Sequence, residues 1–446
     1  MPKSKLSPVF VPEAEQPYKI PHNWRWVRLG GITDIVGGGT PSTKEKAYYD
    51  NGDIPWISPA DLSGYADIYI AHGAKSITRL GLEKSSAQLL PAETVCLSTR
   101  APIGYVAIAK NPLSTNQGFK SFLPSPSYLP RYLYWYLKGN KDLLESRASG
   151  TTFLELSGRK AANVEFPVPP LAEQQRIVER IESLFTKLDA AREKAQAVVD
   201  GFELRKAAIL YRAFNGELTA QWRRYNNISL NQWFKRKLGD CGTWSGGGTP
   251  SMKHPEYWQQ GDLPWITPKD MKSDVIEDSA IHVNMSGVHH SSANYITTPS
   301  VLFVVRSGIL RHTFPVAMVK RPFTVNQDLK ALSPQDMDLN YLFWACKSCE
   351  KKILETCMKN GTTVESINTH ALMAFQIPVA PEKEQKEIVR CVEFLLSREK
   401  AVKASAETVI EQIDAMKKAI LGRAFRGELG TNDPSEAGAE FAVTVR

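Results

Sequence analysis

Few side chains in this sequence stand at spacings suited to covalent chemistry. The glycine-rich stretch Gly37-Gly-Gly-Thr-Pro-Ser-Thr-Lys44 lacks the Gly-Lys pair of a phosphate-binding loop, and its Pro and Thr positions spoil it as a cradle. There is no H-E-x-x-H, no G-x-S-x-G, no kinase signature, no Asn-Pro-Pro-Tyr adenine-methylation motif and no dinucleotide-type glycine loop. Cys346-x-x-Cys349, taken with Cys357 and Cys391, fits no zinc-finger spacing and reads as thiols destined for burial. His289-His290 reads as a solvated loop pair. The expectation is a chain with no catalytic residue, no metal and no cofactor of its own.

The chemistry that remains is electrostatic. Lys+Arg total 55 against Asp+Glu 47, a net charge of +8 with a pI near 9.0, which suits a polyanionic partner. With 42% hydrophobic residues over 446 positions, the chain can bury two or three cores. That composition excludes a disordered, collagen-like or disulfide-stapled protein. No run of 18 apolar residues occurs, the opening MPKSKLSPVFVPEAEQP has no apolar signal core, and the six cysteines are irregularly spaced. These point to the cytoplasm and away from any membrane.

The elements that must carry those charges come in two copies. Gly37-Gly-Gly-Thr-Pro-Ser42 returns as Gly246–Ser251, 209 residues on, and Gly52-Asp-Ile-Pro-Trp-Ile-Ser-Pro59 returns as Gly261-Asp-Leu-Pro-Trp-Ile-Thr-Pro268. Trp24…Leu29-Gly30 matches Trp233…Leu238-Gly239, and Asn116-Gln117…Lys120 matches Asn326-Gln327…Lys330. Gly150-Thr-Thr152 matches Gly361-Thr-Thr363, and Ala213-Phe214…Gly216-Glu217-Leu218 matches Ala424-Phe425…Gly427-Glu428-Leu429. A half-length duplication of this kind means two homologous domains, too long in period for a solenoid.

Within each copy the texture changes once. Residues 20–168 and 225–379 are rich in Pro, Gly and aromatics, with short β-type runs such as Thr94–Ser98 and Tyr105–Ile108, and read as mixed, strand-rich globules. A long helical pattern then opens after Pro169-Pro170. Its apolar positions Ile177, Ile181, Leu184, Leu188, Ala191, Ala195, Val198 and Phe202 follow a strict heptad. The second helix repeats it at Ile388, Val392, Leu395, Val402, Val409, Ile413, Met416 and Ile420, with Glu399 and Ala406 filling the gaps. Gly216 and Gly427 are the expected stops. Helices of about 40 residues, about 60 Å long, with so narrow a seam want each other as partners.

The expected fold is therefore α+β. Two homologous mixed α/β recognition domains (1–168 and 219–379) are separated by long helices (169–218 and 380–429) that form an antiparallel, pseudo-twofold coiled coil, followed by a flexible tail (430–446). Two similar heads held apart suit a bipartite DNA site, asymmetric because the heads differ in sequence. Positions matched between heads should be scaffold, with Trp56 and Trp265 in the core. Reading should fall to basic or polar residues between the matched blocks. In the first head these are Lys44, Lys46, Lys75, Arg79, Arg100 and Lys120. In the second they are Lys253, His254, Lys269, Lys272, His289, Arg306, Arg311, His312 and Lys330.

On Trp24…Leu29-Gly30, Gly38–Ser42, Gly52–Ile57, Asn116-Gln117, Gly150–Thr152 and the helix opener Pro169-Pro-Leu-Ala-Glu-Gln-Gln-Arg-Ile177, each with its second copy, the chain resembles the specificity subunit of Type I restriction–modification enzymes. The second opener departs slightly, as Ala380-Pro-Glu-Lys-Glu-Gln-Lys-Glu-Ile388. The resemblance implies that each head is a target-recognition domain for one half of a bipartite duplex site, and that the coiled coil sets the gap. It also implies docking of two modification subunits, which carry S-adenosylmethionine and methylate adenine. Two restriction subunits, which use ATP and Mg to translocate and cut DNA, would join that core. Two other readings stay open: a self-contained DNA methyltransferase or nuclease, and a protein-binding scaffold with no DNA role.

Overall fold

The computed structural model describes residues 9–100, 102–150, 154–359 and 364–438. Contacts divide the chain into two compact units. The first holds the residues up to Ala195 together with those from Thr408, and the second is Gln196–Glu407. Each unit therefore combines one globule with a part of each long helix, a grouping that cuts across the sequential division into heads and helices.

In the first unit the globule carries a five-stranded sheet in the order Ile35–Gly37, Phe119–Phe122, Val95–Thr99, Ile103–Ala109, Tyr69–Ile70. A three-stranded sheet, Lys75–Ile77, Ile54–Ile57, Ser114–Thr115, stands beside it. Arg25–Arg28 pairs antiparallel with Glu165–Val168, so the first and last strands of the globule meet where the chain enters the long helix Leu171–Asp200. The second unit repeats the plan. It has a four-stranded sheet (Gly242–Gly246, Leu329–Pro334, Ser300–Val304, Val316–Val319), a three-stranded one around Leu263–Ile266, and Phe234–Lys237 paired with Gln376–Val379. In both, a ten-residue helix (Pro130–Gly139, Leu339–Ser348) fills the core with aromatic side chains.

The long helices begin inside those cores. Ile177, Val178, Ile181 and Phe185 are buried in one cluster with Tyr132, Phe166, Leu421 and Phe425. In the second unit Ile388, Val389, Val392 and Leu396 join Leu210, Phe214 and Tyr341. The matched Ala-Phe pairs act as plugs: the Phe425 ring lies 5.2 Å from Tyr132 in the first unit, and Phe214 lies 5.4 Å from Tyr341 in the second. Burying such a ring contributes about 1.5–3 kcal/mol. Thus the end of the second long helix completes the first core, and the end of the first completes the second. Gly216 and Gly427, at φ +84° and +74°, then turn the chain in the left-handed region that ends helices.

The Glu-Gln pair opening each helix ties it down. Gln174 donates to the carbonyls of Ser127 and Pro169 and accepts from the backbone N–H of Leu129. Gln385 donates to Ala380 and accepts from Asp338. Both glutamines are buried, where an unpaired amide would cost about 1–3 kcal/mol.

Three expectations need correction. The first helix is irregular at one residue: Gly201 forms a turn between Leu171–Asp200 and Phe202–Phe214, although its N–H still bonds to the Ala197 carbonyl at 3.0 Å and its carbonyl still accepts from Arg205 at 3.1 Å, whereas Glu382–Ala424 runs unbroken for 43 residues. One row of the strict heptad on the second helix is also misplaced. Ile177, Ile181, Phe202, Ile388, Val392 and Ile413 are buried, and Leu184, Leu188, Val198, Leu395 and Ile420 are half-buried. Val402, Val409 and Met416, however, are 51%, 41% and 49% exposed. One heptad row, Val392, Glu399, Ala406, Ile413 and Ile420, stays buried or half-buried along the helix, while the other lies one residue on from the expected place, at Leu396, Lys403, Ile410 and Lys417. Lastly, the tail is not loose over its described part. Trp24 Nε1 donates to Asn432 at 3.0 Å, Asn23 to the Asp433 carbonyl at 3.0 Å, and Arg176 binds Glu436 with both terminal nitrogens at 2.8 and 2.7 Å.

Candidate nucleic-acid interface

The glycine-rich loop and the Asn-Gln turn meet in each head. Gly38 and Gly247 are packed so tightly that an added Cβ would sit 1.9 Å from the Asn116 carbonyl oxygen and 1.7 Å from that of Val325; no side chain fits there. The buried indoles of Trp56 and Trp265 donate to the Gly39 and Gly248 carbonyls at 2.9 and 3.0 Å, holding the loop down. This pinning presents Thr40 and Thr249 outward, where their hydroxyls donate to Gln117 Oε1 and, at 2.7 Å, to Gln327 Oε1. Asn116 and Asn326 shape the turn beneath by accepting from the N–H two residues on, at 2.9 and 3.1 Å.

The next corner is also shared. Asp61 Oδ2 accepts from the Ser58 N–H and hydroxyl, and Asp270 Oδ2 from those of Thr267. Burial opposes ionisation of Asp61, but hydrogen bonds from Ala74 and Ser58 prevail and hold it below the ordinary carboxylate range.

The candidate basic residues distribute unevenly around this frame. Lys120 and Lys330 stand opposite Gly37 and Gly246 in the strand register, flanking the loop. Arg100 and Arg306 follow strands whose next-to-last link reaches the same turn, Thr99 N–H to Gly118 and Val305 N–H to Asp328, at 2.7 and 2.8 Å. In the second head Lys269, Arg306, Asn326 and Asp328 line one hollow of about 430 Å³. Lys44 and Lys253 are exposed at the end of the loop. Lys46 and Arg79 lie on two packed short helices (Lys46–Tyr48, Arg79–Glu83), and Lys75 on the edge of the three-stranded sheet. Lys272, His289 and His312 are exposed outside the turn.

Several of these basic residues already have partners. Arg79 pairs with Glu83 at 3.5 Å, His254 with Glu256 at 2.8 Å and Arg306 with Asp328 at 3.6 Å, while Arg311 binds Glu365 closely enough to lower that carboxyl. Pairs whose basic partner is this exposed are worth at most about 1 kcal/mol.

Where the heads differ, they differ in kind. In the second, His254, Tyr257 and His290 stack, with centroids 5.0 and 6.1 Å apart; the first has Glu45, Tyr48 and Lys84 at those repeat positions. Thr151, Thr152 and Gly361–Thr363 lie outside the described residues. Cys346 is buried in the second core and its thiol is pushed well up by that burial.

The paired helices supply a second surface. In the first unit Arg192 meets Asp414 and Asp189 meets Lys417, an antiparallel register. In the second, Arg205 Nε lies 2.6 Å from Glu399, and Lys403 lies over the Phe202 ring at 5.1 Å. Large apolar side chains remain outside the seam, Phe394, Val402, Leu204 and Tyr211 in the second unit and Val409 and Met416 in the first.

The profile of the Type I restriction modification DNA specificity domain matches the chain twice, over residues 21–198 and 231–411. The chain belongs to this family. It is 31% identical over 334 residues to the Type I restriction enzyme MjaIX specificity subunit of Methanocaldococcus jannaschii, covering 74% of this chain and 76% of that one. A chain solved in work on complex assembly and conformational transition of the type I R-M system shares the fold at a TM-score of 0.71 and 20% identity, covering 93% of this chain and all of that one. The HsdS subunit from Thermoanaerobacter tengcongensis does so at 0.63 and 19%, with 93% and 100% covered.

What sequence reasoning missed in these specificity domains is the outward role of matched polar residues. Thr40, Gln117, Thr249 and Gln327 are exposed in both copies, so a match between heads does not mean burial. The signal was present: each is a polar residue inside an otherwise structural Gly-Pro or Asn turn.

Proposed function

We propose that the chain addresses a Type I restriction–modification complex to DNA, each specificity domain reading one half of a bipartite, asymmetric duplex site. The observation that carries this reading is the tandem pair of specificity domains, each presenting the same pinned loop and turn beside side chains that differ between them. The His254–Tyr257–His290 stack, with no counterpart in the first head, is the kind of difference that two unlike half-sites require.

The helix pair between the heads sets the gap between half-sites and docks two modification subunits. The exposed Phe394, Val402, Val409 and Met416 support docking, because apolar side chains on a charged helical surface suit a helical partner. S-adenosylmethionine would be carried by the modification subunits, and ATP and Mg by two restriction subunits. The chain would act in the cytoplasm and contribute no catalytic group.

The test is co-expression with the adjacent modification subunit followed by genome-wide adenine-methylation mapping. The expected result is one bipartite motif with unlike halves. Exchanging residues 20–168 for another head should change only one half, and inserting about four residues, one helical turn, in a paired helix should lengthen the gap alone. Methylation without sequence preference would overturn the reading.

A further inference from the structure

Two heads that select different bases still stand on the same sugar–phosphate backbone. Residues that recur in both heads, face solvent and cluster at the reading surface are therefore the ones to examine for a contact that carries no sequence information. We propose that each head carries a matched phosphate-binding ledge, Lys120 with the Thr40–Gln117 pair in the first and Lys330 with the Thr249–Gln327 pair in the second. The inference rests on the DNA-reading function proposed above.

The ledge is one construction built twice. Lys120 faces Gly37 across the sheet, its Nζ 3.8 Å from where a Cβ on that glycine would be, and Lys330 faces Gly246 with Nζ at 2.6 Å. The missing side chain in each glycine is the space over which the lysine lies. Three residues on, Thr40 and Thr249 use their hydroxyls to fix the carboxamide oxygens of Gln117 and Gln327. Each amide NH2 group then remains as an outward pair of donors.

Amide donors on a fixed frame beside a cation match phosphate oxygens. Neither lysine forms an ion pair among the described residues. The fold spends its tightest packing, at Gly38 and Gly247, on holding this turn in place. A base-reading role fits poorly, because an identical device cannot tell two different half-sites apart. The neighbouring cation differs instead: Arg306 is shared with Asp328, whose place in the first head is taken by Gly118. The second ledge is therefore the less positive of the two.

The experiment measures duplex binding by the complex of the full chain with its modification subunits, against ionic strength, on a cognate and a random duplex. K120A and K330A should each weaken both duplexes by the same factor and lower the slope of log K against log salt by about 1, the two together by about 2. Q117A and Q327A should weaken both duplexes equally and leave the slope unchanged. The methylated motif should stay the same in all four.

A changed half-site in K120A or K330A would make the lysine a base reader and overturn the ledge. Unchanged affinity and slope would place it off the DNA, and loss of subunit assembly in these variants would make it a protein-docking surface. Failure of the unaltered complex to bind any duplex would instead overturn the function on which the ledge rests.

Discussion

Thr219 donates its hydroxyl to the buried carboxylate of Glu384 at 2.6 Å. Arg223 Nη1 reaches the same oxygen at 2.6 Å, and Trp233 Nε1 donates to the other at 2.8 Å. Glu384 belongs to the Glu-Gln opener of the second helix, while Thr219, Arg223 and Trp233 lie on the segment that leads into the second head. One fully buried carboxylate thus locks the end of one long helix, the start of the other and the first strand of a head. In the first unit Glu173 takes the matching place, and its Thr partner, at 2.7 Å, is Thr431 from the tail.

Replacing Glu384 separates pairing from packing. Glu384→Ala strands a nearly buried Arg223 and should cost the second unit about 3–5 kcal/mol. Glu384→Gln keeps the shape and part of the hydrogen bonding and should cost about 1–3 kcal/mol. Urea titration followed by tryptophan fluorescence reads both; equal costs would mean that the charge is irrelevant.

The tail makes a matching prediction with a pH signature. Ending the chain at Gly430 removes the Thr431 hydrogen bond and the Arg176–Glu436 pair, and should destabilise the first unit by about 2–4 kcal/mol. Burial already pushes the Glu173 carboxyl above its ordinary value, and the Thr431 and Arg176 hydrogen bonds draw it back. Thr431→Val, which keeps the tail in place and removes only that hydrogen bond, should raise it further. A carboxyl raised in the folded state favours folding while protonated and loses that advantage as pH climbs through the raised value. The stability deficit of Thr431→Val should therefore be smaller in mild acid than at neutral pH, and adding Glu173→Gln should abolish that dependence.

How much of this was legible follows from the range of each interaction. The duplication, the strand-rich heads, the helix openers and the glycine stops are local patterns, and they appear in the structure where the spacing puts them. The partner of Glu173 was not legible, because it lies in a segment that reads as a polar tail. The Thr40–Gln117 bond joins residues 77 apart: each stands out locally as a polar residue in a structural turn, but nothing local gives its partner. The seam was half legible: Ile388, Val392, Ala406 and Ile413 sit where the heptad places them, but the row read at Val402 lies one residue on, where Lys403 takes the inner position over Phe202.

The pinned loop can be tested with a single methyl group. Gly247→Ala would place a Cβ 1.7 Å from the Val325 carbonyl oxygen, and backbone cannot yield as a flexible side chain does. The second head should lose at least about 1–3 kcal/mol, with hydrogen exchange rising first in the parallel pairing of Trp265 with Thr324. Gly308→Ala, which meets nothing within 4 Å, should be neutral. Equal effects would mean that the loop is not held as described.

The displaced seam separates stability from assembly on one helix. Val402, Val409 and Met416 lie outward, so glutamate at all three should shift stability by no more than about 0.5 kcal/mol each. Ile413, buried between them in sequence, should cost about 2–5 kcal/mol on truncation to Ala. The strict heptad makes the opposite ranking for the first three, since it places them inside. If those apolar side chains serve a helical partner, the triple glutamate variant will fold normally yet fail to co-purify with the modification subunit, while Ile413→Ala will lose assembly only in proportion to its lost fold. Analytical ultracentrifugation of the two co-expressed complexes, beside thermal melts of the isolated chains, distinguishes these outcomes. A triple variant that both melts normally and assembles normally would remove the outward stripe from the docking surface.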